Sequence, residues 1–199
     1  MFERQKLLVI AGPNGSGKTS VTNQILKHTW RENCEYINPD IIAQEKFGDW
    51  NSNEAVTKAA IFSQELRYSL LESNSGIVFE TVLSTIEKLS FVKKAKVKKY
   101  FIRIFFIGTD SPEINASRIA QRVISGGHDV PITKIISRYK KSIANCALIT
   151  PIVDRLYVYD NSIENVDAKL LFRASNGILT KQYCEINDWA KIIYKQLEK

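Results

Sequence analysis

The segment Gly12-Pro13-Asn14-Gly15-Ser16-Gly17-Lys18-Thr19 constrains this chain more than any other. It matches G-x-x-x-x-G-K-[ST], and each position has a physical task. Glycines reach backbone angles closed to other residues, so successive N–H groups can turn inward on an anion. The helix that must follow adds its positive end at the same point. Lys18 is placed to reach the β- and γ-phosphates of a nucleotide, and the Thr19 hydroxyl to ligate Mg2+. The expected nucleotide-binding set is Gly12, Pro13, Asn14, Gly15, Ser16, Gly17, Lys18, Thr19 and Ser20, for ATP or GTP with magnesium.

The surroundings fit such a loop. Residues 6–11 form a continuous apolar run, the pattern of a buried parallel strand, and a helix is expected over 18–27. Further strands are expected at 35–38, 76–79, 100–107 and 155–159. Helices are expected at 53–73, 86–95, 112–125 and 131–147, the last with Pro131 in its first turn. Alternating strands and helices imply a parallel sheet covered on both faces. Two short strand-like runs, 168–173 and 178–182, flank Asn176-Gly177, a strong hairpin signal. A closing helix is expected over 188–197. The expectation is therefore one α/β domain, residues 1–199. It is a three-layer P-loop fold with a five-stranded parallel sheet, and a small hairpin and helix occupy about 166–199.

Composition sets limits. Of the 199 residues 44% are hydrophobic and 25% charged, which suits an ordinary globular chain. The N-terminal apolar run is too short for a signal peptide, and no stretch approaches a membrane span. The three cysteines, Cys34, Cys146 and Cys184, lack the spacing of a disulfide framework or a zinc site. The protein reads as cytoplasmic. The net charge of +7 attracts anionic partners. Lys93, Lys94, Lys96, Lys98 and Lys99 read first as a solvated helix end. Nucleic-acid contact is the secondary reading, and no aromatic residues interleave with these lysines as a single-strand platform requires.

A phosphate loop alone does not name a reaction. Asp40 follows the second expected strand in YINPD, and Glu80 ends the third in GIVFE. The carboxyl ends of parallel strands line the ligand crevice. Asp40 there is a candidate general base or holder of the metal's water shell, and equally a cap for a helix beginning at Ile41. Glu80, with neighbouring Thr81, is a candidate substrate ligand. Arg118 and Arg122 lie four apart and share a helix face. Arginines stabilise the charge that spreads over a moving phosphoryl group, and Arg138 on the next helix could join them. A GTPase would need an Asn/Thr-Lys-x-Asp segment, which is absent. Asp160 is the nearest strand-terminal aspartate for a metal, and it comes late in the order.

The motifs AGPNGSGKTS, YINPD, FETVLS, RIAQRVISGGHDVP with Arg138 following, and RLYVYDNS together resemble the zeta toxin family and its short relatives. The resemblance covers most of residues 6–162. It implies a small P-loop kinase that transfers phosphate to a hydroxyl of UDP-N-acetylglucosamine. In that case Lys18 would hold the phosphates and Asp40 would be the general base. Glu80 would bind the sugar nucleotide, and Arg118 or Arg122 would clamp the transferring phosphate. The family's second catalytic arginine aligns best with His128, so Arg122, Arg138 or His128 would take its place. An antitoxin partner is implied by analogy, and membrane association is not. Two other readings remain: a nucleotide or polynucleotide kinase, and a nucleotide-binding switch without an acceptor. The run Ile124-Ser125-Gly126-Gly127-His128 looks like an ABC signature only superficially.

Overall fold

The computed structural model describes residues 4–48, 52–127 and 129–198. The apolar run before the glycine loop is β1 (Lys6–Ala11), and Leu7 through Ala11 are fully buried. Burial on both faces explains why this strand shows no alternation. It lies near the middle of one sheet ordered β2 (Cys34–Ile37), β3 (Gly76–Thr81), β1, β4 (Phe101–Gly108), β5 (Arg155–Asp160), β6 (Lys169–Ser175), β7 (Ile178–Gln182). The first five strands are parallel, as expected. The hairpin does more than append to them. β6 pairs antiparallel with β5, and β7 with β6, so the sheet has seven strands.

The helices are α1 (Lys18–Leu26), α2 (Pro39–Phe47), α3 (Asn53–Glu72), α4 (Ile86–Val97), α5 (Pro112–Ile124), α6 (Ile132–Ile149) and α7 (Lys191–Tyr194). Their starts follow local rules. The Asn38 side chain caps α2 by accepting from Asp40 N at 2.9 Å, with Pro39 in the first turn. The Ser52 hydroxyl caps α3 by accepting from Ala55 N at 3.4 Å. The cap of α2 is thus Asn38, and Asp40 is left to face outward from the first turn.

One face of the sheet carries the main core, into which α3, α4, α6 and α7 pack. The other is covered by α1 and a turn at Thr29–Arg31, where Trp30 stacks on Phe105 and lies under the Arg103 guanidinium at 4.0 Å. Asp154, just before β5, ties the lower edge together. It accepts from Arg4 at 2.8 Å and from Ile102 N at 2.9 Å, and Lys96 lies at 3.3 Å.

The closing helix is shorter than expected. A 3-10 turn, Asp188–Ala190, leads into the single turn of α7. Two contacts take the chain away from a helix. Trp189 packs so close to Gly108 that a Cβ there would lie 2.3 Å from the indole ring. Further on, Glu198 exchanges backbone bonds with the hairpin, donating to Gly177 O at 2.9 Å and accepting from Leu179 N at 3.0 Å. The lysine run is solvated but not idle: Lys96 pairs with Asp154, Lys98 with Glu72 at 2.7 Å, and Lys94 lies over the Tyr68 ring.

Candidate active site

β1 ends between β3 and β4, where the chain crosses to opposite sides of the sheet, and the glycine loop starts at this switch point. Gly12 N donates to Thr81 O at 3.2 Å, fastening the loop to the end of β3. From there two of the loop's carbonyls are held from outside. Asn115 Nδ2 of α5 donates to Asn14 O at 2.7 Å, and Asn161 Nδ2, just after β5, donates to Ser16 O at 2.9 Å. Thr109 in turn donates to Asn115 Oδ1, and the Tyr139 hydroxyl to Thr109 O at 2.6 Å. Ser16 N donates to Pro13 O at 3.3 Å, and with the Asn14 and Ser16 carbonyls engaged elsewhere the loop's other N–H groups are left to turn on an anion.

The glycines follow from this packing. Gly15 and Gly17 adopt φ of 77° and 81°. A Cβ on Gly15 would meet Asn115 O at 2.5 Å, and one on Gly17 would meet Asn161 Nδ2 at 2.1 Å. Gly17 is the N-cap of α1 and offers no side chain to cap it, so the first-turn N–H groups are left for a ligand in the loop's hollow. Ser16 Oγ is buried without a hydrogen-bond partner among the described residues, a polar group placed where an anion would satisfy it. Lys18 Nζ donates to Gly12 O at 2.9 Å and Pro13 O at 3.0 Å. Burial lowers the Lys18 pKa, while the Glu80 and Asp40 carboxylates raise it again and Arg122 adds to the lowering.

The loop opens into a cleft of about 520 Å³. Most of the residues expected to act line it: Asn14, Gly15, Gly17, Lys18, Thr19, Asp40, Glu80, Thr81, Arg118, Arg122 and Arg138. Glu80 is oriented by its neighbours. Its Oε1 accepts from the Tyr36 hydroxyl at 2.5 Å and from Asn38 Nδ2 at 3.2 Å. Arg138 Nη1 reaches Asn14 Oδ1 at 3.5 Å. Arg118 is tied back instead, donating to Asn161 O at 2.7 Å and Ile163 O at 3.4 Å. It therefore braces the segment that holds Ser16 while it edges the cleft. His128 lies outside the described residues.

Asp160 is not part of the cleft lining. It accepts from the Ser162 hydroxyl at 2.6 Å and from Trp189 Nε1 at 3.1 Å, so its carboxylate is occupied in anchoring the C-terminal segment. The Gly126-Gly127 pair closes α5: Gly127 N donates to Arg122 O at 2.9 Å with Gly126 at φ 85°, a helix terminator. The resemblance of this stretch to an ABC signature is a consequence of that cap.

The donor set fits magnesium bound mainly through a nucleotide. The Thr19 hydroxyl and the Asp40 and Glu80 carboxylates are hard oxygen ligands in one cleft. No group of three or more His, Cys, Asp or Glu among the described residues could hold a metal unaided. Likewise, no helix among them is long and apolar enough to cross a membrane.

A glycine loop held by asparagines at a switch point, opening on carboxylates at the end of β3 and the start of α2, defines a P-loop protein, and the sheet around it has the fold of the P-loop kinases. The chain belongs to the zeta toxin family, whose model matches residues 1–169. An uncharacterized protein of Haemophilus influenzae is 27% identical over 138 residues, covering 68% of this chain and 94% of its own. Among solved structures, the AvrRxo1-ORF1:-ORF2 complex with ATP is similar at a TM-score of 0.68 and 15% identity, and the match covers 96% of this chain. This chain spans 63% of that structure's length. The PezAT chromosomal toxin-antitoxin system of Streptococcus pneumoniae is similar at a TM-score of 0.62 and 15% identity, covering 98% of this chain and 79% of that one. At such identities the two structures speak for the fold.

Several side chains of the site left no local mark in the sequence. Asn115 and Asn161 brace the loop from 101 and 145 residues away. Tyr36 and Asn38 act on Glu80 across two strands. Arg67 had a readable signal: Ala55, Ala59, Ser63, Arg67 and Leu71 recur every four residues on the buried side of α3, so an arginine stands on an inward face.

Proposed function

We propose that the protein is an ATP-dependent phosphotransferase that moves the γ-phosphate to a hydroxyl of a small anionic acceptor. The observation that carries this reading is the shared cleft: Lys18 of the phosphate loop and the carboxylates of Asp40 and Glu80 line the same hollow. Lys18 leaves the Gly12 and Pro13 carbonyls for the β- and γ-phosphate oxygens. The loop N–H groups and the start of α1 take the remaining phosphate charge. Magnesium would be held by the Thr19 hydroxyl together with the nucleotide and would supply charge neutralisation there. Asp40, exposed at the start of α2, accepts the proton of the attacking hydroxyl. Glu80, fixed by Tyr36 and Asn38, binds a further hydroxyl of the acceptor. Arg122 and Arg138 face the transferring group from the opposite wall, since Arg138 already touches Asn14.

UDP-N-acetylglucosamine is the acceptor to test first, because family membership supports it. An antitoxin partner is proposed by analogy with the PezAT toxin-antitoxin system. The polynucleotide-kinase reading loses ground because Lys94, Lys96 and Lys98 are engaged with the protein's own residues.

The test is transfer of label from γ-labelled ATP with Mg2+ to UDP-N-acetylglucosamine, other sugar nucleotides, nucleosides and short oligonucleotides, with Lys18→Ala as control. Label on a small hydroxyl compound, lost in the control, is the expected result. Label released only to water would overturn the phosphotransferase reading.

A further inference from the structure

The cleft holds more cations than a nucleotide's phosphates require. Lys18, Arg67, Lys88, Arg118, Arg122 and Arg138 line it against two carboxylates, Asp40 and Glu80. These cations fall into two groups. Lys18 is influenced by Glu80, Asp40 and Arg122, and Arg138 reaches the glycine loop itself. Arg67 and Lys88 belong to the other wall, built by α3 and α4 over β3, and they interact with each other and with Glu87.

Arg67 is an expensive residue where it stands. Its side chain is 1% exposed, its guanidinium lies 5.1 Å from the Phe79 ring and 5.6 Å from the Phe91 ring, and its Nε has no hydrogen-bond partner among the described residues. A buried charge of this kind is costly unless paired. Its partner is Glu87, which accepts from Nη2 at 3.1 Å and also pairs with Lys88. Arg67 therefore fixes Glu87, and Glu87 fixes the ammonium of Lys88, whose side chain is 20% exposed at the cleft wall. The trio carries a net positive charge that no other described residue cancels by an ion pair. Ser84 and Thr85 add hydroxyls to the same wall.

We propose that Lys88, positioned by Arg67 through Glu87, binds a phosphate group that the acceptor carries apart from the hydroxyl it presents to Asp40. This rests on the phosphotransferase reading for the word acceptor, while the phosphate site itself stands on the trio's geometry. An ammonium suits a phosphate as a compact charge, and Lys88 stands on α4, paired with Glu87, rather than on the glycine loop that serves the nucleotide. Substrates without such a phosphate are then poor acceptors.

The test uses the whole protein with its nucleotide site filled by the magnesium complex of a non-hydrolysable ATP analogue. Inorganic phosphate is titrated calorimetrically into wild type, Lys88→Gln, Lys88→Arg and Arg67→Met. Phosphate should bind the loaded wild type and Lys88→Arg. Lys88→Gln should weaken that binding about 10- to 100-fold, the worth of one charged hydrogen bond. Arg67→Met should weaken it too, with unfolding temperature and analogue affinity at wild-type values. No phosphate binding to the loaded wild type, or equal binding by Lys88→Gln, would overturn the proposal. Wild-type binding by Arg67→Met would overturn the positioning role. Because no transfer is measured, failure here is separate from failure of the phosphotransferase reading, which shows as absence of labelled acceptor.

Discussion

The Tyr36 hydroxyl donates to Glu80 Oε1 at 2.5 Å, joining the ends of β2 and β3 at the floor of the cleft. A carboxylate held on one oxygen keeps its direction, and the other oxygen remains for a ligand. Burial, and then the Glu80 carboxylate, raise the Tyr36 pKa, so the phenol stays protonated throughout the neutral range.

Tyr36→Phe should leave ATP affinity unchanged and reduce acceptor use about tenfold, the worth of one charge-assisted hydrogen bond. The stability that Tyr36 contributes is fully present below the ordinary tyrosine pKa of about 10 and is lost as pH rises through its raised folded value. Denaturant unfolding at increasing alkaline pH should therefore decline less in Tyr36→Phe than in wild type.

Gly17 and Asn161 should prove coupled. Gly17→Ala places a Cβ 2.1 Å from Asn161 Nδ2 at a φ of 81°, so nucleotide binding should fall sharply. Asn161→Ala alone removes the bond to Ser16 O and should weaken binding modestly. The double variant should bind better than Gly17→Ala alone, because the clash has gone, although the backbone strain remains. Titration of a fluorescent ATP analogue measures all three, and strict additivity would contradict the brace.

Asp154 should govern acid stability. Burial by itself would raise its pKa, but the Arg4 hydrogen bond, the Ile102 N–H and Lys96 outweigh that and hold it below the ordinary carboxylate value. A depressed folded pKa gives stability that is present above the unfolded pKa of about 4 and lost as pH falls through the folded value. Asp154→Asn should cost about 2 kcal/mol at neutral pH and flatten the acid limb of the stability curve, as urea melts at several pH values would show.

Much of the fold was legible because it is written in local patterns. The β1 run, the glycine loop and the α3 periodicity each announce an element without outside help, and the five parallel strands follow from their alternation with helices. The hairpin announced itself through Asn176-Gly177, but its attachment to β5 depends on pairing such as Val158 with Phe172, which no local rule specifies. The last helix failed for the same reason, since Glu198 is claimed by the hairpin's backbone. In the site, residues on the loop and at strand ends were legible from fold position. Asn115 and Asn161 were not, because a side chain that holds a carbonyl over a hundred residues away leaves no spacing to read. Arg118 shows the limit from the other side. The sequence places it on one helix face with Arg122, but carbonyls at 161 and 163, beyond the reach of a helical pattern, take its guanidinium.

The central claim is that Asp40 takes the proton of an acceptor hydroxyl in a cleft that Lys18 supplies with ATP. Asp40→Asn tests it directly, with ATP affinity and phosphate transfer measured on the same preparation. ATP affinity should stay near wild type while transfer falls by about 10²- to 10⁴-fold, the usual contribution of a general base. Transfer at the wild-type rate, or loss of ATP binding and transfer together, would contradict the account.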